Sequence, residues 1–184
     1  MAKIVLKHVR CSFPDIFKPR SFNGQDPKYS VQLLIKKDHP QMDELQRVVL
    51  EAARDKWPSK VKGNEFPKGL KNPLRDGDER DTEQYPQYLE HWFVNSNTKL
   101  PPLVVGSRKG ENGKFPVLSE GDIQGGDYIN VVLNSYAYDN TGNKGVALGL
   151  EKIQFVAKGE RLGGSRTSAE DDFEDEVGED DLLA

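Results

Sequence analysis

Residues 128–155 read YINVVLNSYAYDNTGNKGVALGLEKIQF: two strand-like runs, Tyr128–Tyr138 and Gly145–Phe155, on either side of Asp139-Asn140-Thr141-Gly142-Asn143-Lys144. The central six residues are dense in types that accept turn and left-handed backbone, so the stretch predicts a β-hairpin. A strand has two faces. Ile129, Val131, Leu133 and Ala137 share one with Ser135, and Tyr128, Asn130, Val132, Asn134, Tyr136 and Tyr138 share the other. The first set suits the inside of a small barrel. The second leaves tyrosines beside asparagine amides on the outside.

Working outward, Lys3–Phe13 is an Ile/Val/Leu-rich strand expected to close at Pro14, with a Pro/Gly/Asn loop over Lys18–Gly24. Tyr29–Lys37 alternates as a half-buried strand, with Leu34 out of phase. The only clear helix follows. Asp38 is the expected cap, Pro40 fits the first turn, and Met42, Leu45, Val48, Val49, Ala52 and Trp57 recur at helical spacing before Pro58. Trp57 therefore reads as core. Residues 58–90 form a polar excursion too long to be a plain loop in a compact domain, so partial order is expected there. Strands resume at His91–Asn95 and around Leu103-Val104-Val105. The fold class is mainly β with one helix: an OB-like small barrel over residues 1–164 and a disordered acidic tail over 165–184. An OB barrel usually carries its helix between strands three and four, so a helix after the second strand is a departure. There is no internal repeat.

The net charge of −4 hides a strong asymmetry. From Thr167 to Ala184 there are nine carboxylates and no Lys or Arg, so residues 1–166 carry a net +5. A basic body joined to an acidic block is the charge pattern of a domain with anionic partners and an interaction tail, although charge alone also fits a solubilising tail. One cysteine, Cys11, excludes an internal disulfide, and histidines at 8, 39 and 91 give no zinc spacing. No apolar run approaches the roughly 18 residues of a membrane span, and the N-terminus lacks the apolar core of a secretory signal. A reducing cytoplasm is the expected location, with no membrane contact.

Binding of single strands needs aromatic planes for bases and cations for phosphates. Tyr136 and Tyr138 are the leading planes, with Tyr128 behind them; the competing reading is that they cover the barrel beneath the 58–90 excursion. Lys68, Lys71, Arg75 and Arg80 in the excursion, and Arg108 and Lys109 in the Gly106–Gly113 loop, are the candidate cations. That loop is not a P-loop, since the Gly-x-x-x-x-Gly-Lys-Ser/Thr spacing is absent. Asp76, Asp78, Glu79 and Asp81 are the best case for an enzyme, because clustered carboxylates hold magnesium in metal-dependent nucleases and junction enzymes. Lying consecutively beside Arg75 and Arg80, they read better as a salt-bridged loop. No catalytic residue, metal site or cofactor is expected.

Several separated motifs follow one another along the chain: Tyr29-Ser30-Val31 running into Lys36-Lys37, Pro73-Leu74-Arg75-Asp76-Gly77-Asp78, Lys99-Leu100-Pro101-Pro102, Gly125-Gly126-Asp127-Tyr128 with Ser135 through Leu150, and Gly159-Glu160-Arg161-Leu162-Gly163-Gly164. In these, and in their order, the chain resembles the phage single-stranded DNA-binding proteins that share an OB fold, which implies the cytoplasm of a host bacterium as its location. The resemblance spans roughly residues 3–164. It implies sequence-independent binding of single-stranded DNA, and weaker binding of duplex DNA, in phage replication, repair or recombination, without a cofactor. Such proteins use acidic C-termini to recruit other proteins, which makes phage or host replication and recombination proteins the expected partners of Asp171, Asp172, Phe173, Glu174, Asp175, Glu176, Asp180 and Asp181. Those tails often end on an aromatic; this chain ends Asp181-Leu182-Leu183-Ala184, with Phe173 as the tail's sole aromatic. The remaining alternative to DNA binding is an OB-type protein-interaction module.

Overall fold

The structure, a computed structural model, describes residues 2–21 and 23–162. The acidic tail, its expected disorder and the boundary at 164/165 lie outside the described residues. In chain order the elements are β1 (Ala2–Arg20), β2 (Lys28–Lys36), α1 (Met42–Lys56), β3 (Arg75–Asp76), β4 (His91–Thr98), β5 (Leu103–Val105), β6 (Tyr128–Asn140) and β7 (Asn143–Ala157), with short 3-10 turns at Gly77–Glu79 and Pro86–Tyr88.

Five long strands close a barrel. β1 pairs antiparallel with β2 and β6, β2 with β4, and β6 with β7; the ring is completed by a parallel contact between β4 and β7 at Asn97 and Gly149. Ser96 Oγ reinforces the closure by donating to Leu148 O at 2.7 Å. Short β3 and β5 flank the barrel on β4 and β7. The architecture is OB-like, and the helix lies between the second and third barrel strands. Inward residues of all five strands form one core with α1: Ile4, Leu6, Val31, Leu33, Val94, Ile129, Val131, Leu133, Leu148 and Ile153 meet Leu45, Val48 and Ala53. Ala137, expected inside with them, is only half-buried near the hairpin tip.

The hairpin is tighter than its composition suggested. Pairing continues to Asn140 opposite Asn143, leaving Thr141 and Gly142 as a two-residue turn with φ of 47° and 84°. Two successive positive φ values give the turn the twist of its flanking strands. β1 departs further from expectation: it runs through Pro14 to Arg20. Pro14 falls where the register to β2 breaks between Ser12 and Asp15, so no ladder hydrogen bond needs its missing N–H.

The helix begins later than expected. Its N-cap is Gln41 and not Asp38, and no side chain caps it. Gln41 instead spends its amide on β1, donating to Val5 O and accepting from Lys7 N–H, each at 2.8 Å. This ties the start of α1 to the barrel. Asp43 and Glu44 in the first turn and Arg54 and Lys56 in the last complement the helix dipole. Trp57 is half-buried at the C-cap rather than in the core. Leu34, out of phase in the sequence, points outward into a second small cluster with Phe93 and Tyr88. Tyr88 comes from the excursion, which is partly ordered, and its hydroxyl donates to Gln32 Oε1 at 2.8 Å.

Candidate nucleic-acid interface

On the outer face of β6, Asn134, Tyr136 and Tyr138 follow one another at period two. The register places Gly149, Ala147 and Gly145 of β7 opposite them. Every large outward residue of β6 near the tip thus faces a small one, which leaves a trough with the tyrosines as one wall. Gly145 is required, because a Cβ there would lie 2.6 Å from the backbone Lys71 O; one on Gly149 would lie 2.7 Å from Asn134 Oδ1 and displace that amide. Tyr136 is 37% exposed. Partial burial, and secondarily the Tyr138 phenol, push its pKa above the ordinary tyrosine value, so the ring is neutral at physiological pH.

The parallel closure carries the trough onto β4, whose outward Asn95 and Asn97 are exposed. Cations line both of its ends. Lys28 and Lys99 sit with Asn97, Asn134 and Tyr136 around one cleft; Lys71 and Arg75 sit with Asn95, Tyr138 and Ala147 around the next. Lys71 is held against the hairpin tip by backbone, its N–H donating to Lys144 O and its carbonyl accepting from Val146 N–H, both at 3.0 Å. Arg75 lies with its guanidinium 5.2 Å from the Phe93 ring centroid, a cation–π contact that orients it without neutralising it. Glu151, near the edge of the trough, is tied to Lys3 at 2.9 Å, and that contact leads in holding its carboxyl below the ordinary value.

Of the sequence candidates, the fold therefore brings together Tyr136, Tyr138, Lys71 and Arg75. Arg80 packs over Tyr88 and Phe93 at 5.2 and 5.4 Å. Arg108 and Lys109 sit in the loop after β5, which pairs with Lys152–Gln154, at the opposite end of β7 from Gly145; Lys109 lies over Phe115. Tyr128 is separated from Tyr136 by eight strand residues, roughly 27 Å, and lies under the Arg10 guanidinium. Sequence reasoning passed over Lys28, Asn95, Asn97 and Lys99. The alternation Val94–Asn95–Ser96–Asn97 was a legible sign of an outward amide pair, but nothing in the sequence says that β4 meets β7.

The carboxylate cluster is braced, and by a residue other than the expected arginines. Lys37 Nζ of the β2–α1 connection lies 2.6 Å from both Asp76 Oδ1 and Asp78 Oδ2. Asp78 Oδ1 accepts from Glu90 N–H at 2.7 Å, and Asp76 Oδ1 from Asp78 N–H at 2.9 Å. The Lys37 ammonium leads in lowering the Asp76 pKa, and the Glu90 N–H leads for Asp78; Lys37 is raised in turn by Asp76 and then Asp78. Among the described residues no group of three His, Cys, Asp or Glu is placed to hold a metal ion. The nuclease alternative gains no geometry from the fold.

Comparison with known proteins places this architecture. A family model described as Enterobacter phage Enc34, ssDNA-binding protein, matches residues 2–183. The chain belongs to that family. A relative, putative protein p50 of Acyrthosiphon pisum secondary endosymbiont phage 1, is 30% identical over 190 residues, covering 99% of both chains. Among solved structures, the single-stranded DNA-binding protein of bacteriophage Enc34 in complex with ssDNA superposes with a TM-score of 0.70 at 23% identity, over 88% of this chain and 89% of that one. The gp2.5 single-stranded DNA-binding protein of bacteriophage T7 superposes at 0.62 and 15% identity, over 91% and 98%. At these identities the likenesses establish a shared fold. Family members bind single strands and are not enzymes.

Proposed function

We propose that this chain holds single-stranded DNA, irrespective of sequence, in the trough between the β6 tyrosines and β4, in phage DNA replication, repair or recombination. The carrying observation is the row of small residues Gly145, Ala147 and Gly149 that opens Tyr136 and Tyr138 beside Lys28, Lys71, Arg75 and Lys99. An aromatic face accepts any base, and flanking cations follow any phosphate backbone, so such a site binds without reading sequence. Family membership supports the reading, as does the Enc34 protein having been solved with ssDNA. Residues 165–184, with nine carboxylates, modulate access to the basic body and recruit replication and recombination proteins of the phage or the host. The place of action is the host cytoplasm; among the described residues no helix is long and apolar enough to cross a membrane.

The test is a titration of oligo-dT, mixed-sequence single strand and duplex at several salt concentrations. Affinity for the single strands is expected to be similar and to fall steeply with salt, each neutralised phosphate contributing about −0.7 to the log–log slope. Salt-independent binding, or a strong preference for one sequence, refutes the reading.

A further inference from the structure

A second groove lies at the far end of the same barrel wall. It lies between Lys7 and Arg10 of β1, Lys36 of β2, the turn that follows it, His91 of β4 and Tyr128 of β6. The three histidines that the sequence scatters across 83 residues are all here. Three permanent cations, Lys7, Arg10 and Lys36, face one carboxylate, Asp38. This is also where Tyr128, stranded from the other tyrosines, finds its surroundings.

The groove is built from side chains fixed in place. Arg10 donates through Nε to Gly126 O at 3.0 Å and through its terminal nitrogen to Glu160 O, and its guanidinium lies 5.9 Å from the Tyr128 ring centroid. His39 accepts from Gln41 N–H at Nδ1, which leaves Nε2 to donate to Lys7 O at 2.6 Å; the ring is held from both sides. His91 Nδ1 donates to Leu89 O at 2.7 Å, leaving Nε2 for another partner. His8 sits in a bulge of the β1–β6 ladder at φ 55°, its N–H satisfied by Asn130 Oδ1 and not by ladder backbone. Backbone held in that region by a residue other than glycine is a cost the fold bears at an exposed position.

Lys28 borders the tyrosine trough and Lys36 the second groove, and they are the two ends of β2. Eight residues of strand separate them, roughly 26 Å. We infer that the Tyr128 groove is a second site for the same single strand, taking phosphates on Lys7, Arg10 and Lys36 and a base against Tyr128, which only strands long enough to leave the trough can reach. The inference rests on the function proposed above and adds a length requirement to it.

Anisotropy titrations of full-length protein with oligo-dT of about 6 and about 20 nucleotides test it, lengths that bracket the sites of single OB folds. At about 0.15 M salt the screening length is about 8 Å, well below the separation of the grooves. Lys7→Glu/Lys36→Glu alters two exposed side chains. It is expected to match wild type on the short strand and to weaken the long one about tenfold, near 1.4 kcal/mol; Lys7→Ala/Lys36→Ala should show the same pattern to a smaller degree. Tyr136→Ala weakens both lengths. Equal losses at both lengths, or none at either with Tyr136→Ala still effective, overturns the second site alone. A gain in affinity that disappears once Thr167–Ala184 is deleted assigns the groove to the acidic segment and also overturns it. Wild type that binds neither strand takes the function proposed above down with it.

Discussion

Tyr136 and Tyr138 differ in their surroundings although they share a strand face. Tyr136 stands over Ala147 at the open cleft, while Tyr138 faces Gly145 with its hydroxyl near the Lys71 segment. Each ring used for stacking contributes about 1–3 kcal/mol. Tyr136→Ala is accordingly expected to weaken oligo-dT by that amount with an unchanged melting temperature. Tyr138→Ala should weaken binding comparably and also loosen the packing of Lys71 on the hairpin tip, read as a lower melting temperature. The inward neighbour supplies the contrast: Val131 is 1% exposed, and Val131→Asp, an unpartnered buried charge, should abolish the cooperative transition. Normal binding and normal melting of both tyrosine variants would move the interface to another face.

At the scale of elements, the 58–90 excursion does two jobs. It caps the outward Leu34–Phe93 pair with Tyr88, and it delivers Lys71 and Arg75 to the trough. Its anchor is the Lys37–Asp76–Asp78 brace, and this has a definite pH dependence. Asp76 and Asp78 have lowered pKa values in the folded chain, so their contribution is complete above the ordinary carboxylate value of about 4 and is lost as pH falls through the folded values. Lys37 is raised, so its contribution is complete below about 10.5 and is lost as pH rises through its folded value. The melting-temperature gap between wild type and Lys37→Met is thus expected to be widest around neutral pH and to close at both extremes. All three groups are solvent-accessible, so the gap is small and shrinks with salt. A gap that stays constant from about pH 2 to pH 7 would show that the brace does not anchor the excursion.

For the whole molecule the governing quantity is the split between a +5 body and a block of nine carboxylates. A tethered polyanion at high effective concentration near the body's cations is expected to compete there with DNA phosphate. Deleting Thr167–Ala184 moves the formal charge from −4 to +5. Truncation is expected to raise oligo-dT affinity and association rate at low salt, with a gain that shrinks as salt screens both competitors. Duplex binding should rise as well. Equal affinities of full-length and truncated protein at low and moderate salt would remove competition and leave recruitment as the segment's role.

The hairpin was legible in the sequence because strand alternation and turn chemistry are local: Ile129, Val131 and Leu133 could face only one way once Asp139–Lys144 was a turn. Alternation likewise marked β2, and apolar periodicity marked α1, while the charge split needed only counting. Local rules failed where a distant partner decides the outcome. Pro14 does not end β1 because β1 bulges there and resumes its pairing with β2 at Asp15, Gln41 replaces Asp38 at the helix start because its amide is used on β1, and Leu34 breaks alternation because Tyr88 returns from 54 residues away to cover it. The site divided along the same line. Tyr136 and Tyr138 could be named from their strand, but their union with Lys28, Asn95 and Asn97 depends on β4 meeting β7 in parallel, and the gathering of His8, His39 and His91 on β1, β2 and β4 closing one wall. Sequence determines what each strand presents on its two faces; which faces become neighbours is decided by the barrel's closure, through contacts that no local pattern encodes.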